Sequence, residues 1–107
     1  MSKIFDILKE PAPVINQRGA KSWYNKAGKL HRENDQPALI YPDGTELWYK
    51  DGLLHRENDK PAVIASDGTK VWYLNDKCHR VGGRPAVINT DGTRYWWIDG
   101  IQVKNPE

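Results

Sequence analysis

Short apolar runs alternate with turn residues along most of this chain, and the pattern repeats every 24 residues. Four motifs keep that spacing: Pro-Ala-Leu/Val-Ile from positions 37, 61 and 85, Asp-Gly-Thr from 43, 67 and 91, Trp-Tyr or Trp-Trp from 48, 72 and 96, and His-Arg from 31, 55 and 79. An earlier, less regular copy runs from Pro13 to Tyr24, with one extra residue in the turn that follows it. Self-similarity at a fixed period predicts a repeat architecture. The units are 13–36, 37–60, 61–84 and 85–107, preceded by an N-terminal arm at 1–12.

Each unit is predicted to contain a hairpin of two short strands. Five glycines follow an aspartate. An Asp-Gly pair between β-branched or aromatic residues is a strong hairpin signal, because both residues tolerate the positive φ of a type I′ turn. A two-residue loop at Asp67-Gly68 would pair Ile64 with Val71 and Val63 with Trp72.

A second Asp-Gly turn is predicted in the outer part of the unit. With Asp51-Gly52 as a two-residue loop, Tyr49 pairs with Leu54 and Trp48 lies opposite His55. The Arg-Glu-Asn-Asp-x-Pro stretch that follows is a longer connection, and its proline is expected to start a strand or to lie at a kink, because proline cannot donate to a ladder.

Alternation along these strands divides the sheet into two faces. One face is almost wholly apolar and is the predicted core, with Ala62, Ile64, Val71 and Tyr73. The other face is mixed, with Trp, His and Val side chains flanked by charge and repeated at about 10 Å along the sheet. We therefore expect the tryptophan rings to lie on an exposed face.

These patterns predict an all-β fold, an elongated antiparallel sheet of successive β-hairpin repeats. The N-terminal arm, 1–12, lies outside the pattern. Ser2 can cap a short helical turn there, which Pro11 and Pro13 would end. We expect the arm to cover an edge or one face of the first unit.

Composition excludes several function classes. The chain has 107 residues with 16 basic and 14 acidic side chains, which suits one domain. Leu, Ile, Val and Phe total 22 residues, so the ten Trp and Tyr side chains must supply much of the buried surface. No apolar run approaches the roughly 18–20 residues of a membrane span, and the charged N-terminus is not a signal peptide. With Cys78 alone, no internal disulfide can form, and we expect a cytoplasmic protein without a cofactor.

Histidines and carboxylates that recur in the repeat invite a chemical interpretation. His31, His55 and His79 occupy equivalent positions, about 10 Å or more apart, which is too far to share a zinc ion. We expect each ring to lie opposite a tryptophan and to bond to loop backbone. The acidic residues of the loops recur in the same way, whereas a catalytic pair is usually unique within a domain. The sequence therefore predicts turn-forming residues, no metal site and no enzyme; Cys78, at the position of Leu54, is a predicted core residue.

The residues from Trp48 to Ala62, Trp-Tyr-x-x-Gly-x-Leu-His-Arg-Glu-Asn-Asp-x-Pro-Ala, resemble the MORN-variant repeat of small bacterial and phage proteins. The resemblance extends over 13–107. It implies an elongated sheet of hairpins and a scaffold or binding role; some bacterial members are antitoxin-like, and eukaryotic members have been linked to phospholipid. In the third unit, Arg80-Val81-Gly82-Gly83 replaces Arg-Glu-Asn-Asp.

The most economical function for such a repeat is binding to a protein partner, as an inhibitor or as an antitoxin-like or anti-defence factor. Repeat ribbons form extended surfaces, and Trp, Tyr and Arg dominate interface hot spots. The candidate binding residues are Trp23, Trp48, Trp72, His31, His55, His79, Arg32, Arg56, Arg80 and Arg84. If this assignment holds, alanine at Trp48 or Trp72 weakens partner capture without unfolding the protein.

Two alternatives stay open at this stage. Tryptophan beside Arg and Lys can stack single-stranded nucleic acid, although the nearly equal number of acidic residues disfavours it. A lipid surface is a further binding alternative, although the Arg-Glu-Asn-Asp loop departs from the eukaryotic pattern. Unpaired strands at the ends of the sheet could also join copies into a homo-oligomer.

Overall fold

The computed structural model describes residues 10–106, and this part of the chain is built from short antiparallel strands without a helix. Most of the predicted arm at 1–12, including the proposed cap at Ser2, lies outside the described residues. Within 10–106 there is accordingly no helix long and apolar enough to cross a membrane. The predicted all-β class is confirmed.

Eleven of the thirteen strands in the described residues are two residues long. In chain order the strands are β1 (Val14–Ile15), β2 (Lys21–Ser22), β3 (Leu39–Ile40), β4 (Glu46–Leu47), β5 (Tyr49–Lys50), β6 (Leu53–Leu54), β7 (Val63–Ile64), β8 (Lys70–Val71), β9 (Tyr73–Leu74), β10 (Lys77–Cys78), β11 (Val87–Ile88), β12 (Arg94–Ile98) and β13 (Ile101–Val103).

One long sheet runs through all units, with small hairpins beside it. The nine-stranded sheet has the order β1-β2-β3-β4-β7-β8-β11-β12-β13, while β5 pairs with β6 and β9 pairs with β10. An isolated bridge between Tyr24 and Leu30 takes the place of the small hairpin in the first unit. The molecule is elongated, with extents of 57 × 27 × 22 Å.

The turn at Asp-Gly-Thr is one residue longer than the sequence predicted. The Ala65 N–H donates to the Thr69 carbonyl and the Gly68 N–H donates to the Ala65 carbonyl, both at 2.9 Å. Gly68 has a φ of +95°, but Asp67 is not among the residues with positive φ. The predicted type I′ loop is therefore wrong here. The chain instead forms a three-residue loop, a type I turn followed by a glycine bulge.

This longer turn changes the register of the hairpin and with it the two faces. Val63 pairs with Val71 and Ile64 with Lys70, whereas the sequence predicted that Ile64 pairs with Val71. Since side chains alternate along a strand, a shift of one residue moves a whole strand to the opposite face. The predicted apolar face of Ala62, Ile64, Val71 and Tyr73 is therefore wrong, because Val71 shares a face with Val63.

The second turn of the unit forms as predicted. Asp51 and Gly52 both have positive φ, +50° and +83°, as a type I′ turn requires. Tyr49 pairs with Leu54, and the His55 N–H donates to the Trp48 carbonyl at 3.0 Å. The extra residue of the first unit also lies in this turn, which has three residues there.

Tryptophan and alanine form most of the buried core. The buried residues are Ala20, Ser22, Trp23, Pro37, Ala38, Trp48, Ala62, Trp72 and Ala86. Trp48 lies at the bend between β4 and β5, where its N–H donates to the carbonyl of Ala62 at 2.8 Å. Ala62 has no exposed surface, and Trp23, Trp48 and Trp72 are 5, 6 and 7% exposed. The predicted exposed face of tryptophans is therefore wrong.

Candidate functional site

Each buried tryptophan is fixed by an arginine that reaches across units. The guanidinium carbon of Arg56 lies 3.8 Å from the ring centroid of Trp48, and the indole N–H donates to the Asp35 carbonyl at 3.1 Å. Arg56 Nε donates to Asp35 Oδ1 at 2.9 Å, and Nη1 donates to the Pro61 carbonyl at 3.0 Å. One arginine thus contacts the preceding loop, its own tryptophan and the start of the next unit.

The same cluster is repeated on either side. Arg80 lies over Trp72 at 3.9 Å and binds Asp59 and the Pro85 carbonyl. Arg32 lies over Trp23 at 3.7 Å and binds the Pro37 carbonyl, with Glu10 in place of the aspartate. Among the described residues, the buried indole nitrogen of Trp23 has no hydrogen-bond partner.

The histidines join each unit to the next turn, as the sequence predicted. Nδ1 of His55 accepts a hydrogen bond from the Asn75 backbone N–H at 3.0 Å, and His31 and His79 accept from Asp51 and Asp99 in the same way. Because Nδ1 accepts, Nε2 carries the ring proton in the neutral form. That nitrogen contacts Glu57 from His55, and Glu33 from His31.

The loop backbone explains why Asn and Asp precede the proline. Asn34 and Asp35 have φ of +61° and +55°, and the equivalent pair in the next unit has +62° and +57°. This left-handed conformation favours Asn, Asp and Gly. In the third unit Gly82 and Gly83 take it, at +80° and +71°. The aspartate carboxylates bind an arginine of the next unit rather than cap their own turn.

Most of the predicted binding residues are committed to these internal contacts. The histidine and arginine side chains of the repeat are 10 to 16% exposed, and the tryptophans less. Arg84 differs, because its side chain is 51% exposed and lies 2.5 Å from Asp59 Oδ2. A role of these residues in partner binding stays a prediction, but the tryptophan rings have little surface with which to bind.

The charge clusters shift the pKa values of their carboxyl groups. Hydrogen bonds from Arg56, with a further contribution from Lys60, hold the pKa of Asp35 at about 2. The hydrogen bond from Arg80 lowers the pKa of Asp59, and that from His55 lowers the pKa of Glu57. These acids are therefore ionised whenever the protein is near neutral pH.

Acid should weaken the link between units, and Asp35→Asn should remove part of that sensitivity. Because the pKa of Asp35 is lower in the folded chain, its contribution to stability is present above about pH 4 and is lost as pH falls through about 2. We expect the urea midpoint of Asp35→Asn to be lower near neutral pH and to fall less on acidification. Solvent screening limits the effect, since Asp35 is 39% exposed. Identical acid profiles for both proteins would contradict this role.

Three cavities form a row along the loops that begin with the His-Arg pairs, and the second and third cavities lie between successive loops. The middle cavity, of about 250 Å³, lies between the loops at 31–35 and 55–58, and the third, of about 210 Å³, lies between those at 56–59 and 79–84. The first cavity shares the loop at 31–34 with the middle one. We call this row the loop-face groove.

Equivalent side chains line each cavity of the groove. Each cavity is lined by one of the buried tryptophans and by the tyrosine that follows it, Tyr24, Tyr49 or Tyr73. Exposed residues at the rim are Lys26, Lys50, Glu33, Asn34, Glu57 and Asn58. The tyrosines and Lys26 are not among the residues predicted from the sequence, although the Trp-Tyr pairing was a visible signal; Lys50 was a candidate only for the nucleic-acid alternative.

The sequence also predicted that the chain has no metal site and that Cys78 is a core residue. In residues 10–106 no group of three or more His, Cys, Asp and Glu side chains is placed to hold a metal ion. Cys78 pairs with Tyr73 and is partly buried, and this burial raises the pKa of its thiol to about 11. At neutral pH it is therefore a protonated thiol that packs, as its position in the repeat predicted.

Comparison of the chain with protein-family models, with curated proteins and with solved structures gave no match. The resemblance to MORN-variant repeats therefore stays a prediction based on the motif alone.

Proposed function

We propose that this chain is a non-enzymatic protein-binding module whose partner lies along the loop-face groove, and that it acts as an inhibitor or antitoxin-like factor by occupying that partner. The observation that carries the proposal is the row of adjoining cavities with shared walls. A recurrent concave surface of this kind is how repeat proteins bind extended segments of other proteins.

The spacing of the groove suits a polypeptide. Each unit adds two strands to the sheet, so equivalent positions recur at about 9.6 Å. A segment in the polyproline II conformation has three residues per turn at about 3.1 Å each, and so repeats every 9.3 Å or so. Every third side chain of such a segment would meet an equivalent cavity.

The chemistry of the rim favours protein over nucleic acid. Half-buried tyrosines such as Tyr49 offer amphipathic contact surface, which is common at protein interfaces. Glu33 and Glu57 are 75 and 63% exposed on the same rim. A phosphate backbone in the groove would lie against these carboxylates, whereas a polypeptide can match both the acids and the neighbouring lysines.

Charge reversal on the rim tests this proposal against a matched control. Lys26→Glu/Lys50→Glu changes two exposed lysines of the groove, and Lys21→Glu/Lys70→Glu changes two exposed lysines of the long sheet that line none of the three cavities. Both variants alter the net charge equally. Tagged proteins are used to capture partners from a lysate of the source cells, with thermal melts to confirm folding.

We expect the groove variant to lose at least about tenfold of the captured partner, because like charges placed together at an interface cost several kcal/mol. The sheet variant should capture as much as the wild type. Equal capture by both variants, or a loss confined to the sheet variant, would contradict the assignment of the partner to the groove.

A further inference from the structure

The third unit lacks a carboxylate that the two preceding units use. Glu33 and Glu57 each contact Nε2 of the histidine two residues earlier. Val81 takes their place in the third unit, while His79 keeps its Nδ1 bond from the Asp99 backbone N–H at 2.8 Å. Nε2 of His79 therefore has no acceptor from its own loop, although the ring is held in the same orientation.

The third unit is the last one with a His-Arg pair, and this explains Gly83 but not Val81. Gly83 stands where Asp35 and Asp59 stand, and those two aspartates bind the arginine 21 residues later. At that distance from Gly83 the chain has Lys104, with no His-Arg pair, so an aspartate at 83 would have no such arginine to bind. The glutamate is different, because its partner belongs to the same unit, and that partner, His79, is present.

Val81 does not fill the space that the glutamate leaves. Its side chain is an exposed aliphatic group, 57% accessible, rather than a packed one. The cavity of about 210 Å³ at this position is open to solvent and is lined by Trp72, Tyr73, His79, Arg80, Val81 and Arg84. The groove is thus accessible at the point where the other units place a carboxylate.

The charge around this cavity is also more positive than the charge around the middle cavity. Its charged lining residues are three arginines, Arg56, Arg80 and Arg84, and two acids, Glu57 and Asp59. The middle cavity has three basic and three acidic residues, namely Arg32, Lys50, Arg56, Glu33, Asp35 and Glu57. The third cavity is therefore left with an excess of positive charge.

We propose that the third cavity is a subsite for one acidic side chain of the partner segment in the groove. The carboxylate of this glutamate or aspartate accepts a hydrogen bond from His79 Nε2, as Glu33 and Glu57 do within their own units, and lies close to Arg84. Charge-assisted contacts of this kind are stronger than neutral hydrogen bonds. The subsite follows from the comparison of units, and only the identity of its occupant rests on the proposed function.

A carboxylate probe tests the subsite without the partner. N-acetyl-glutamate N′-methylamide is titrated into the isotope-labelled protein while the Cε1–H resonances of the three histidines are followed, with the glutamine analogue as uncharged control. We expect a saturable shift at His79, with a Kd of about 1–10 mM, and none at His31 or His55. A flat response at His79, or equal binding of the glutamine analogue, would overturn the proposal.

Two substitutions within the repeat sharpen the result. Val81→Glu restores the residue of the other units and should weaken probe binding at His79 by at least about tenfold, because the new carboxylate occupies the site. Glu57→Val makes the converse change and should create a second site at His55 with similar affinity. Wild-type binding by Val81→Glu would overturn the proposal, and thermal melts confirm that both variants fold.

This titration and the capture experiment fail independently. Suppose that His79 shows a saturable shift but that Lys26→Glu/Lys50→Glu captures as much partner as the wild type. This result would support the subsite and reject the proposed function. Groove-dependent capture without any shift at His79 would support the function and reject the subsite.

Discussion

Replacement of Trp48 by alanine is expected to destabilise the fold strongly rather than only to remove a binding contact. The ring is 6% exposed, and it provides the surface on which Arg56 stacks. Truncation of a buried tryptophan to alanine typically costs about 3–5 kcal/mol, a large share of the roughly 5–15 kcal/mol by which domains are stable. Loss of the indole N–H would also leave the Asp35 carbonyl without that donor.

Urea denaturation of Trp48→Ala beside Trp96→Ala measures this effect with an internal control. Trp96 makes the equivalent bond to the Gly83 carbonyl at 3.0 Å, but it is only partly buried, and within 10–106 no arginine stacks on it. We expect a clearly smaller loss for Trp96→Ala. If Trp48→Ala stays as stable as the wild type and loses only partner capture, the ring is a binding residue, as the sequence alone had suggested.

A larger side chain at Ala62 is expected to have the second-largest effect. Ala62 has no exposed surface, its carbonyl accepts the Trp48 N–H, and its own N–H donates to the Val71 carbonyl at 2.9 Å. Because both backbone groups are held in the ladder, the chain cannot move aside for a leucine. Overpacking of this kind costs about 1–3 kcal/mol.

The matched variant is Ala27→Leu, which adds the same side chain at an exposed turn position. We expect its free energy of unfolding to stay within about 0.5 kcal/mol of the wild type. The comparison is made by thermal or urea denaturation of both proteins. Equal destabilisation by the two substitutions would show that Ala62 has no special packing constraint.

Periodicity predicted the architecture well because repeated motifs constrain one another. Turn and strand propensities, applied at equivalent positions of every 24-residue unit, predicted the all-β class and the turn at Asp51-Gly52. They also predicted the bond from each histidine to turn backbone. The turn type predicted at Asp67-Gly68 was wrong because an Asp-Gly pair is compatible both with a type I′ turn and with a type I turn plus glycine bulge. The two differ in the φ of Asp67, which the dipeptide alone does not determine.

The error at that turn also changed the candidate site. A shift of one residue reversed one strand and moved Trp72 from the face that was expected to be exposed to the buried face of Ala62. The role of Arg56 could not be predicted from spacing, because its contacts with Asp35 and Trp48 join residues 21 and 8 positions away, and phase alone does not say which units touch. The departure of the third loop, in contrast, was visible in the sequence and remained informative.

Hydrogen exchange of the protein alone and in complex with its captured partner tests the central claim most directly, namely that the repeat residues hold the units together and leave the loop-face groove for binding. We predict added protection at 32–35, 56–59 and 80–84, the loops that wall the groove, with little change in the hairpin turns at 41–45, 65–69 and 89–93. Protection confined to those turns or to the end strands β1 and β13 would contradict the account.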